Sequence, residues 1–473
     1  MGDDEKRYSM PDRYVVIPRD DWYIFFDPVH FSFMRVNEHG RTILESVKNE
    51  TPAGEVVRAV AAAYHLDPAG VRETVQAFLD NMTATKFLHV GPYAPAIDEP
   101  PDLDAGRPGS LYIHPTFKCN QQCIYCYNKK DRDRSTGGEL TTGEWFGVLD
   151  QARKFGIKNI MFTGGEPLLR DDIFEIARYA NGVGMRSQLL TNARLIGGHN
   201  IDDIMNAFGT VGFSLDSHLE ERNDFLRGRG SYRATIDAMR MLKKNDRVFS
   251  AKAVITKHNV WDLPGLVQFY MEEFENGSII PNLYIPPSRD MIGLLPALED
   301  YMAAMEKVTE FLDRHYGGDK ISLLRFHGIP NRQYQCGAAA GEISIGPDGS
   351  VYPCQALQKP EFNAGNIKQK DLGEIYRNSP LLRRVRSCTV DAIETCRDCD
   401  VKYLCGGGCR SLAYSLYGTI DCFNEYSCEY LRTLAIGMLW NATCVPIDQI
   451  RKLEEEIGAA APGAIPEKEC RIE

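Results

Sequence analysis

The stretch Cys119–Asn128, CNQQCIYCYN, holds three cysteines at the spacing C-x3-C-x2-C. A structural zinc ion takes four ligands, and so does a four-iron cube that is bound by cysteines. Soft thiolates suit iron–sulfur clusters. Three of them on a cube leave one iron open to a small molecule, such as an amino acid with its amine and carboxylate. Cys119, Cys123 and Cys126 therefore predict an open metal centre. The alternative for this motif alone is part of a zinc site.

The composition is that of a protein with several domains and no broad basic surface. The chain has 473 residues, which predicts roughly two to four domains. Its net charge is −11, which disfavours nucleic acid and anionic membranes as partners. No apolar run reaches the length of a membrane span. Because the start of the chain is polar and acidic, we expect no signal peptide and a cytoplasmic location.

The cysteines are clustered along the chain, as in metal or redox proteins rather than in disulfide frameworks. The chain contains 14 cysteines, and none precedes Cys119. None lies between Cys126 and Cys336, whereas nine lie between Cys336 and Cys428. This distribution predicts two separate metal-binding regions.

Strand and helix patterns alternate from residue 111 to residue 330. Six apolar stretches predict strands, namely SLYIHPTF, NIMFTGG, SQLLTNA, VGFSLDS, AKAVITKH and NLYIPP. The segments between them predict helices, one with a capping box at Thr141–Glu144 and an end at Gly156. This alternation predicts an α/β fold with a parallel sheet curled into an open barrel. Such sheets bind ligands at the carboxyl ends of their strands, where the polar motifs of this segment lie.

The cysteine motif and the strand ends after it resemble the radical S-adenosylmethionine (SAM) enzymes. This resemblance covers residues 111–330 and implies a partial (β/α)6 barrel, similar to a TIM barrel, with SAM bound to a [4Fe-4S] cluster on Cys119, Cys123 and Cys126. The further residues that the resemblance assigns to the cofactor are Tyr125 before the last cysteine, Gly164, Gly165 and Glu166 of TGGEP, Asn192, Ser214, Asp216 and Arg227.

The resemblance also implies roles for these residues. In the family, TGGEP meets the methionine amine of SAM, and Ser214 and Asp216 lie where ribose and carboxylate are contacted. Arg227 would face the carboxylate, although Asn223 stands where histidine is commoner. The reduced cluster cleaves SAM to methionine and a 5′-deoxyadenosyl radical, which abstracts a substrate hydrogen. Each motif alone has a structural alternative, a turn or a strand-end cap, but their order favours the enzyme.

The second group of cysteines resembles the SPASM extension of radical SAM peptide-modifying enzymes, here residues 331–440. By resemblance, one auxiliary [4Fe-4S] cluster is bound by Cys336, Cys354 and Cys409, and another by Cys396, Cys399, Cys405 and Cys428. With the SAM cluster, this makes three [4Fe-4S] clusters. Seven thiolates leave an eighth position, to which Cys388, Cys422 or the substrate could bind. The alternative is a pair of zinc sites. In the tail 441–473, Cys444 and Cys470 are predicted to be free thiols.

The first ninety residues predict a small winged-helix-like α+β domain, which resembles the PqqD-like recognition element of peptide-maturation enzymes over residues 8–90. By this resemblance, its strands would take a leader peptide as an added strand. The proline-rich residues 91–110 predict a linker. A winged helix that binds nucleic acid is the alternative, and the acidity of the region disfavours it.

Together these features predict a radical SAM enzyme that modifies a ribosomally made precursor peptide. A thioether cross-link is the first choice of product, because an open iron suits a thiolate, and a carbon–carbon cross-link is close behind. Other candidates are an enzyme of the sulfatase-maturating, formylglycine-forming type, an enzyme of peptide-derived cofactor biosynthesis, and a non-enzymatic electron-transfer or scaffold protein. The expected partners are the peptide and a flavodoxin- or ferredoxin-type electron donor. No catalytic base stands out in the sequence.

Overall fold

The structure is a computed structural model that describes residues 3–84, 86–94, 106–128, 138–274, 278–316 and 332–442. The middle of the predicted linker lies outside these residues. Nearly all of the predicted tail, with Cys444 and Cys470, also lies outside them. Within the described residues, no helix is long and apolar enough to cross a membrane.

The N-terminal domain combines small antiparallel sheets with three helices. Strands β2–β4 form one antiparallel sheet in that order, and β1 lies between β5 and β6 in another. The elements are β1 (Arg7–Ser9), β2 (Val15–Arg19), β3 (Trp22–Asp27), β4 (Ser32–Asn37), α1 (Glu38–Glu45), β5 (Thr51–Pro52), α2 (Ala53–Tyr64), α3 (Pro68–Ala84) and β6 (His89–Val90).

The helices of this domain begin at polar or proline residues. Asn37 precedes α1 and accepts a hydrogen bond from the Gly40 amide at 3.0 Å, which satisfies one of the free N–H groups of the first turn. Pro52 stands directly before α2, and α3 begins at Pro68, where the fixed φ of proline suits a helix entry. Apolar side chains of all three helices are buried with Phe25 and Met34 in one core.

The central domain is an open sheet of parallel strands joined by helices. Strands β7 to β12 pair in the order of the chain, and every pair is parallel. The elements are β7 (Ser110–Ile113), α4 (Thr142–Phe155), β8 (Asn159–Phe162), α5 (Ile173–Gly182), β9 (Arg186–Thr191), α6 (Ile201–Ala207), β10 (Thr210–Ser214), α7 (Glu220–Arg227), α8 (Ser231–Lys244), β11 (Phe249–Ile255), α9 (Leu263–Glu273), β12 (Ser278–Leu283) and α10 (Leu298–Tyr316). This arrangement confirms the predicted α/β fold.

Two details of the central domain test the sequence pattern directly. The capping box at Thr141 and Glu144 is present, and Gly156 ends α4 with a left-handed φ of 93°, as predicted. The sixth strand was misplaced, because it covers Ser278–Leu283 and therefore begins before the predicted NLYIPP. It contains Pro281, which a central strand would exclude, but β12 lies at the sheet edge, where proline is tolerated.

The C-terminal domain continues the central sheet. Strand β13 pairs with β7 in parallel, and β14 and β15 follow as antiparallel strands. A turn at residues 346–349 joins β13 to β14, with the Gly349 amide donating to the Gly346 carbonyl at 3.0 Å. The elements are β13 (Glu342–Ile345), β14 (Ser350–Tyr352), β15 (Gly365–Asn366), α11 (Leu372–Asn378), α12 (Pro380–Ser387), α13 (Glu394–Arg397), α14 (Lys402–Cys405), α15 (Arg410–Tyr417) and α16 (Glu425–Ala442). The cysteine-rich region is therefore anchored to the first strand of the barrel.

The N-terminal domain packs on the C-terminal domain. Ile24 and Phe26 of β3 are buried in one apolar cluster with Leu404 of α14 and Leu439 of α16. Arg13 also forms an ion pair with Asp400 at 2.5 Å, although both side chains are exposed. Burial of apolar area stabilises such contacts more than exposed ion pairs do. The apolar cluster is therefore the main source of the docking energy.

Candidate functional site

Three loops after β7, β8 and β9 meet at the carboxyl edge of the sheet. The loop after β7 carries Cys119, Cys123 and Cys126, whose side chains are all partly exposed. The Asn192 side-chain amide, after β9, lies 3.7 Å from the Cys119 sulfur. The carbonyl of Arg227, at the end of α7, lies 3.8 Å from the Cys123 sulfur. The fold therefore brings the predicted strand-end residues to the cysteine loop.

The thiols of the cysteine loop have the chemistry of a cluster-binding site. Soft thiolates suit iron–sulfur clusters, and a four-iron cube binds each thiolate at a different iron. Cys119, Cys123 and Cys126, all partly exposed, would supply three such ligands. Their assignment to a cluster stays a prediction.

The glycines of TGGEP allow two backbone segments to run side by side. Gly165 and Glu166 donate their amides to the carbonyls of Thr116 and Lys118 at 2.9 and 2.8 Å. A Cβ at Gly164 would lie 2.7 Å from the Thr116 carbonyl oxygen, and Gly164 has a φ of 118°. Glycine is therefore required here by the approach of the turn to the strand that leads into the cysteine loop.

Glu166 is a buried brace between the loops after β8 and β9. Its carboxylate accepts hydrogen bonds from the Thr191 hydroxyl at 2.9 Å, the Asn192 amide at 2.8 Å and the Leu168 amide at 3.2 Å. Burial raises the pKa of Glu166 to about 7, although these hydrogen bonds act against the rise. The side chain is 1% exposed, so its first effect is to hold Asn192 beside the cysteine loop.

A glutamine at Glu166 is expected to destabilise the protein and weaken SAM binding. Three donors face the carboxylate, and glutamine offers one oxygen and an amide that cannot accept. A buried donor left without an acceptor costs about 1–3 kcal/mol, which urea unfolding and SAM titration would measure. Glu144→Gln is the matched control, because glutamine also serves at this position of an exposed capping box. Equal losses in both variants would contradict the bracing role.

Asn192 and Ser214 differ in how closely they approach the cysteine loop. The Asn192 side chain donates to the Asn120 side-chain oxygen at 2.8 Å and accepts from the Arg194 amide at 3.0 Å. Ser214 is the last residue of β10 and lies opposite Lys252 of β11. Asn192 is thus held against the loop by direct hydrogen bonds, whereas Ser214 lies farther along the sheet edge.

Tyr125, Asp216 and Arg227 form one buried group of side chains that contact one another. The Tyr125 hydroxyl donates to the Asp216 carboxylate and accepts from the Arg227 guanidinium. Arg227 and Asp216 form an ion pair at 3.0 Å. Asp216 is 0% exposed, so its carboxylate is engaged by the protein itself. Burial, more than the charge of Asp216, raises the pKa of Tyr125 well above its ordinary value.

Sequence reasoning missed the residues that support this group. The Asn223 side chain accepts from the Asp216 amide at 3.0 Å and donates to Ser231 at 2.9 Å. The Val254 amide donates to the Asp216 carboxylate at 2.9 Å. One indication of this role was present in the sequence, because position 223 holds asparagine where histidine is commoner. In the structure, Asn223 buttresses the loop after β10.

The C-terminal cysteines fall into two neighbourhoods. Burial raises the pKa of the Cys354 thiol well above its usual range, and Glu342, Cys409 and Cys336 raise it further. These cysteines are the first predicted set. In the second set, burial raises the pKa of Cys396 to about 11, and Cys405, Cys428 and Cys399 add to the rise. Thiols of each set therefore lie close enough to influence one another's charge.

Cys388 and Cys422 have partners of their own. The Cys388 sulfur lies 3.1 Å from an Asp421 carboxylate oxygen and 3.3 Å from the Arg384 carbonyl. The Cys422 sulfur lies 3.9 Å from the Thr419 carbonyl. Since the Cys388 thiol is satisfied within the protein, it is the less suitable donor for an eighth ligand position.

Three protein families match consecutive parts of the chain. Residues 23–88 match the coenzyme PQQ synthesis protein D (PqqD) family. Residues 113–270 match the radical SAM superfamily, and residues 336–400 match the SPASM iron–sulfur cluster-binding domain. This order of domains confirms the predicted one, while the predicted boundaries and the individual site residues stay predictions.

Named proteins are similar to large parts of the chain. The PqqA peptide cyclase of Bradyrhizobium diazoefficiens is 27% identical over 66% of this chain and 84% of its own. Streptococcus suis SuiB, solved with SAM, is 18% identical with a TM-score of 0.56, over 89% of this chain and 100% of its own. SuiB has also been solved with its precursor peptide SuiA.

A second solved structure supports the same fold. The anSMEcpe protein with bound SAM is 21% identical with a TM-score of 0.57, over 73% of this chain and 100% of its own. The domains and the cysteine-lined sheet edge are those of an enzyme that uses SAM and iron–sulfur clusters. The chain carries a radical SAM domain, with a PqqD domain before it and a SPASM domain after it.

Proposed function

We propose that this enzyme modifies a ribosomally made precursor peptide. The observation that carries the proposal is the docking of a PqqD-type domain on the SPASM domain, where Phe26 packs in one apolar cluster with Leu404 and Leu439. Cys399, a predicted auxiliary-cluster ligand, borders the same cluster. A domain of the peptide-recognition type is thus held beside the proposed auxiliary clusters. The named relative that is a PqqA peptide cyclase supports the same substrate class.

The residues of the barrel would have two tasks in this reaction. Cys119, Cys123 and Cys126 would hold the cluster that, when loaded with SAM, supplies a 5′-deoxyadenosyl radical for hydrogen abstraction. Glu166 would orient the loop that carries Asn192. The ion pair of Asp216 with Arg227 would hold the cysteine loop against the end of α7. The residues proposed to contact SAM are Tyr125, Gly164, Gly165, Glu166, Asn192, Ser214, Asp216 and Arg227.

The product is proposed to be an intramolecular thioether, with a carbon–carbon cross-link as the next choice. Either bond needs the peptide to lose two hydrogen atoms, so one electron must leave the peptide after the radical step. The two C-terminal cysteine sets would hold two auxiliary [4Fe-4S] clusters that accept it, which makes three clusters in all. The eighth position would be open to a substrate thiolate. A flavodoxin- or ferredoxin-type donor would supply the electron that starts the reaction, in a cytoplasmic setting.

The leader peptide is proposed to bind at the edge of β4. Both faces of the β2–β4 sheet are covered, because Phe25 lies in the core of its own domain and Phe26 faces the SPASM domain. Only the edges then remain for an added strand. The β2 edge carries Pro18, which has no N–H to donate. The β4 edge contains no proline.

Pro18 also indicates which backbone groups of β4 point outward. Its nitrogen must face away from β3, because proline cannot donate to the ladder, and it lies opposite Tyr23. Tyr23 must then direct its backbone groups to β4, where it lies opposite Val36. Backbone groups alternate in direction along an antiparallel pair. The N–H and C=O of Arg35 therefore point to the free side of β4.

Anaerobic turnover with candidate peptides is expected to give a modified peptide and 5′-deoxyadenosine. The protein would be reconstituted with iron and sulfide, reduced, and supplied with SAM and peptides translated from short reading frames beside its gene. Mass spectrometry should find a peptide that lacks two hydrogen atoms. Loss of a cysteine that iodoacetamide can alkylate identifies a thioether, whereas an aldehyde that reacts with hydrazine identifies formylglycine. A peptide that binds but stays unmodified during SAM cleavage would overturn the proposal.

A further inference from the structure

Arg410 is a buried arginine at the centre of the C-terminal cysteines. It follows Cys409 directly as the first residue of α15, and it is 1% exposed. Its guanidinium donates to carbonyls on both sides of the cysteine loop, at 3.3 Å to Gly408, 3.0 Å to Ile420 and 2.9 Å to Cys422, and also to Gly407. The side chain therefore joins the Cys405–Cys409 loop to the segment before Cys428.

The charge of Arg410 has no carboxylate partner within the part of the chain that the structure describes. Its hydrogen bonds go to neutral carbonyls, which satisfy its donors but do not compensate a full positive charge. A buried charge without an opposite charge is strongly destabilising. A negative group that the protein acquires later would remove this cost.

The Arg410 side chain contacts the segments that carry both predicted ligand sets. The carbonyls of Gly407 and Gly408, to which it donates, belong to the loop that runs from Cys405 of one set to Cys409 of the other. The Cys422 carbonyl, 2.9 Å from the guanidinium, belongs to the segment that leads to Cys428. One buried positive charge therefore lies next to ligand-bearing segments of both sets.

We propose that Arg410 is the buried positive countercharge of the two auxiliary iron–sulfur clusters and raises their reduction potentials. This inference rests on the proposed function, because it assumes that both cysteine sets carry clusters. A cluster bound by thiolates is anionic, and each one-electron reduction adds a further negative charge. A nearby positive charge in a medium of low dielectric constant stabilises the reduced form more than the oxidised form. Arg410 therefore acts on the clusters through its charge.

Arg410 has a second possible role, in which its hydrogen bonds only hold the backbone of the cysteine loop in place. Gly406, Gly407 and Gly408 all have left-handed φ values, of 67°, 79° and 79°, so the loop has little rigidity of its own. In that role, loss of the guanidinium hydrogen bonds loosens Cys405 and Cys409 without any electrostatic effect. Lysine at Arg410 keeps the charge but not the forked hydrogen bonds, whereas glutamine removes the charge.

The test uses full-length protein in which Cys119, Cys123 and Cys126 are alanine, so that only auxiliary clusters remain. Arg410→Gln and Arg410→Lys would be compared with this parent by iron content and by electron paramagnetic resonance during titration with dithionite. Arg386→Gln is the matched control, because Arg386 is also 1% exposed but stacks on the Tyr376 ring at 4.5 Å.

We expect Arg410→Gln to keep its iron and to shift the auxiliary midpoint potentials to more negative values, with Arg410→Lys and Arg386→Gln close to the parent. Unchanged potentials in an iron-loaded Arg410→Gln protein would overturn the proposal while leaving the clusters in place. If Arg410→Gln loses iron, recovery of iron and potential in Arg410→Lys supports the charge role, and equal loss in both overturns it. A parent without iron would instead show that the proposed auxiliary clusters are absent.

Discussion

The triple variant with alanine at Cys119, Cys123 and Cys126 is expected to produce no 5′-deoxyadenosine from SAM and to bind roughly four fewer iron atoms per chain, the content of one cube. The reason is that these thiols are the metal donors of the loop after β7, which Asn192 and Arg227 hold in place. The auxiliary cysteines are distant in sequence and are held by their own segments, so we expect their iron to remain. Anaerobic reconstitution, iron analysis and mass detection of 5′-deoxyadenosine make the measurement.

Cys470→Ala is the control for this variant, because Cys470 is predicted to be a free thiol. It should match the wild type in both iron and 5′-deoxyadenosine. Normal SAM cleavage by the triple variant would refute the assignment of the core cluster. If the wild type contains zinc in place of iron and neither protein cleaves SAM, the cysteine motif is part of a zinc site instead.

Local signals in the sequence predicted most of the fold. The capping box at Thr141 marks a helix start that the structure confirms, because capping depends on a few neighbouring residues. The pairing of β13 with β7 was not predictable in this way. It joins segments more than two hundred residues apart in the sequence. No local sequence feature of either strand identifies the strand with which it pairs.

The sequence predicted where the residues of the candidate site lie, at the ends of strands, but not the hydrogen bonds between them. Parallel strands bring their carboxyl ends to one edge, so Asn192 was expected near the cysteine loop. The mutual engagement of Tyr125, Asp216 and Arg227 depends on rotamers and burial that the sequence pattern does not contain. Glu166 is similar, since its partner Thr191 lies on the next strand.

Deletion of the N-terminal domain would be an ambiguous test of peptide recognition. Ile24 and Phe26 cover Leu404 and Leu439, so removal of the domain would expose apolar surface beside the cysteines. Loss of activity could then follow from damage to the SPASM domain. A change confined to the free edge of β4 avoids this problem.

Arg35→Pro is expected to weaken precursor-peptide binding by about tenfold or more. The substitution removes a backbone donor that points to the free side of β4, and an acceptor left unpaired on the peptide costs about 1–3 kcal/mol, where 1.4 kcal/mol is tenfold in affinity. Edge strands tolerate proline at outward positions, as Pro18 in β2 illustrates. Fluorescence anisotropy with a labelled peptide would measure the dissociation constant.

Two controls separate the backbone effect from other consequences of this change. Arg35→Ala removes the side chain, which stacks on Trp22 at 5.3 Å and donates to the Trp440 carbonyl at 3.4 Å, but it keeps the backbone donor. Val16→Pro removes an outward donor from the opposite edge, because Val16 lies two residues before Pro18 in β2. Both controls should bind the peptide nearly as the wild type does. Weaker binding in Val16→Pro alone would move the leader site to β2, and equal weakening in Arg35→Ala would assign the effect to the side chain.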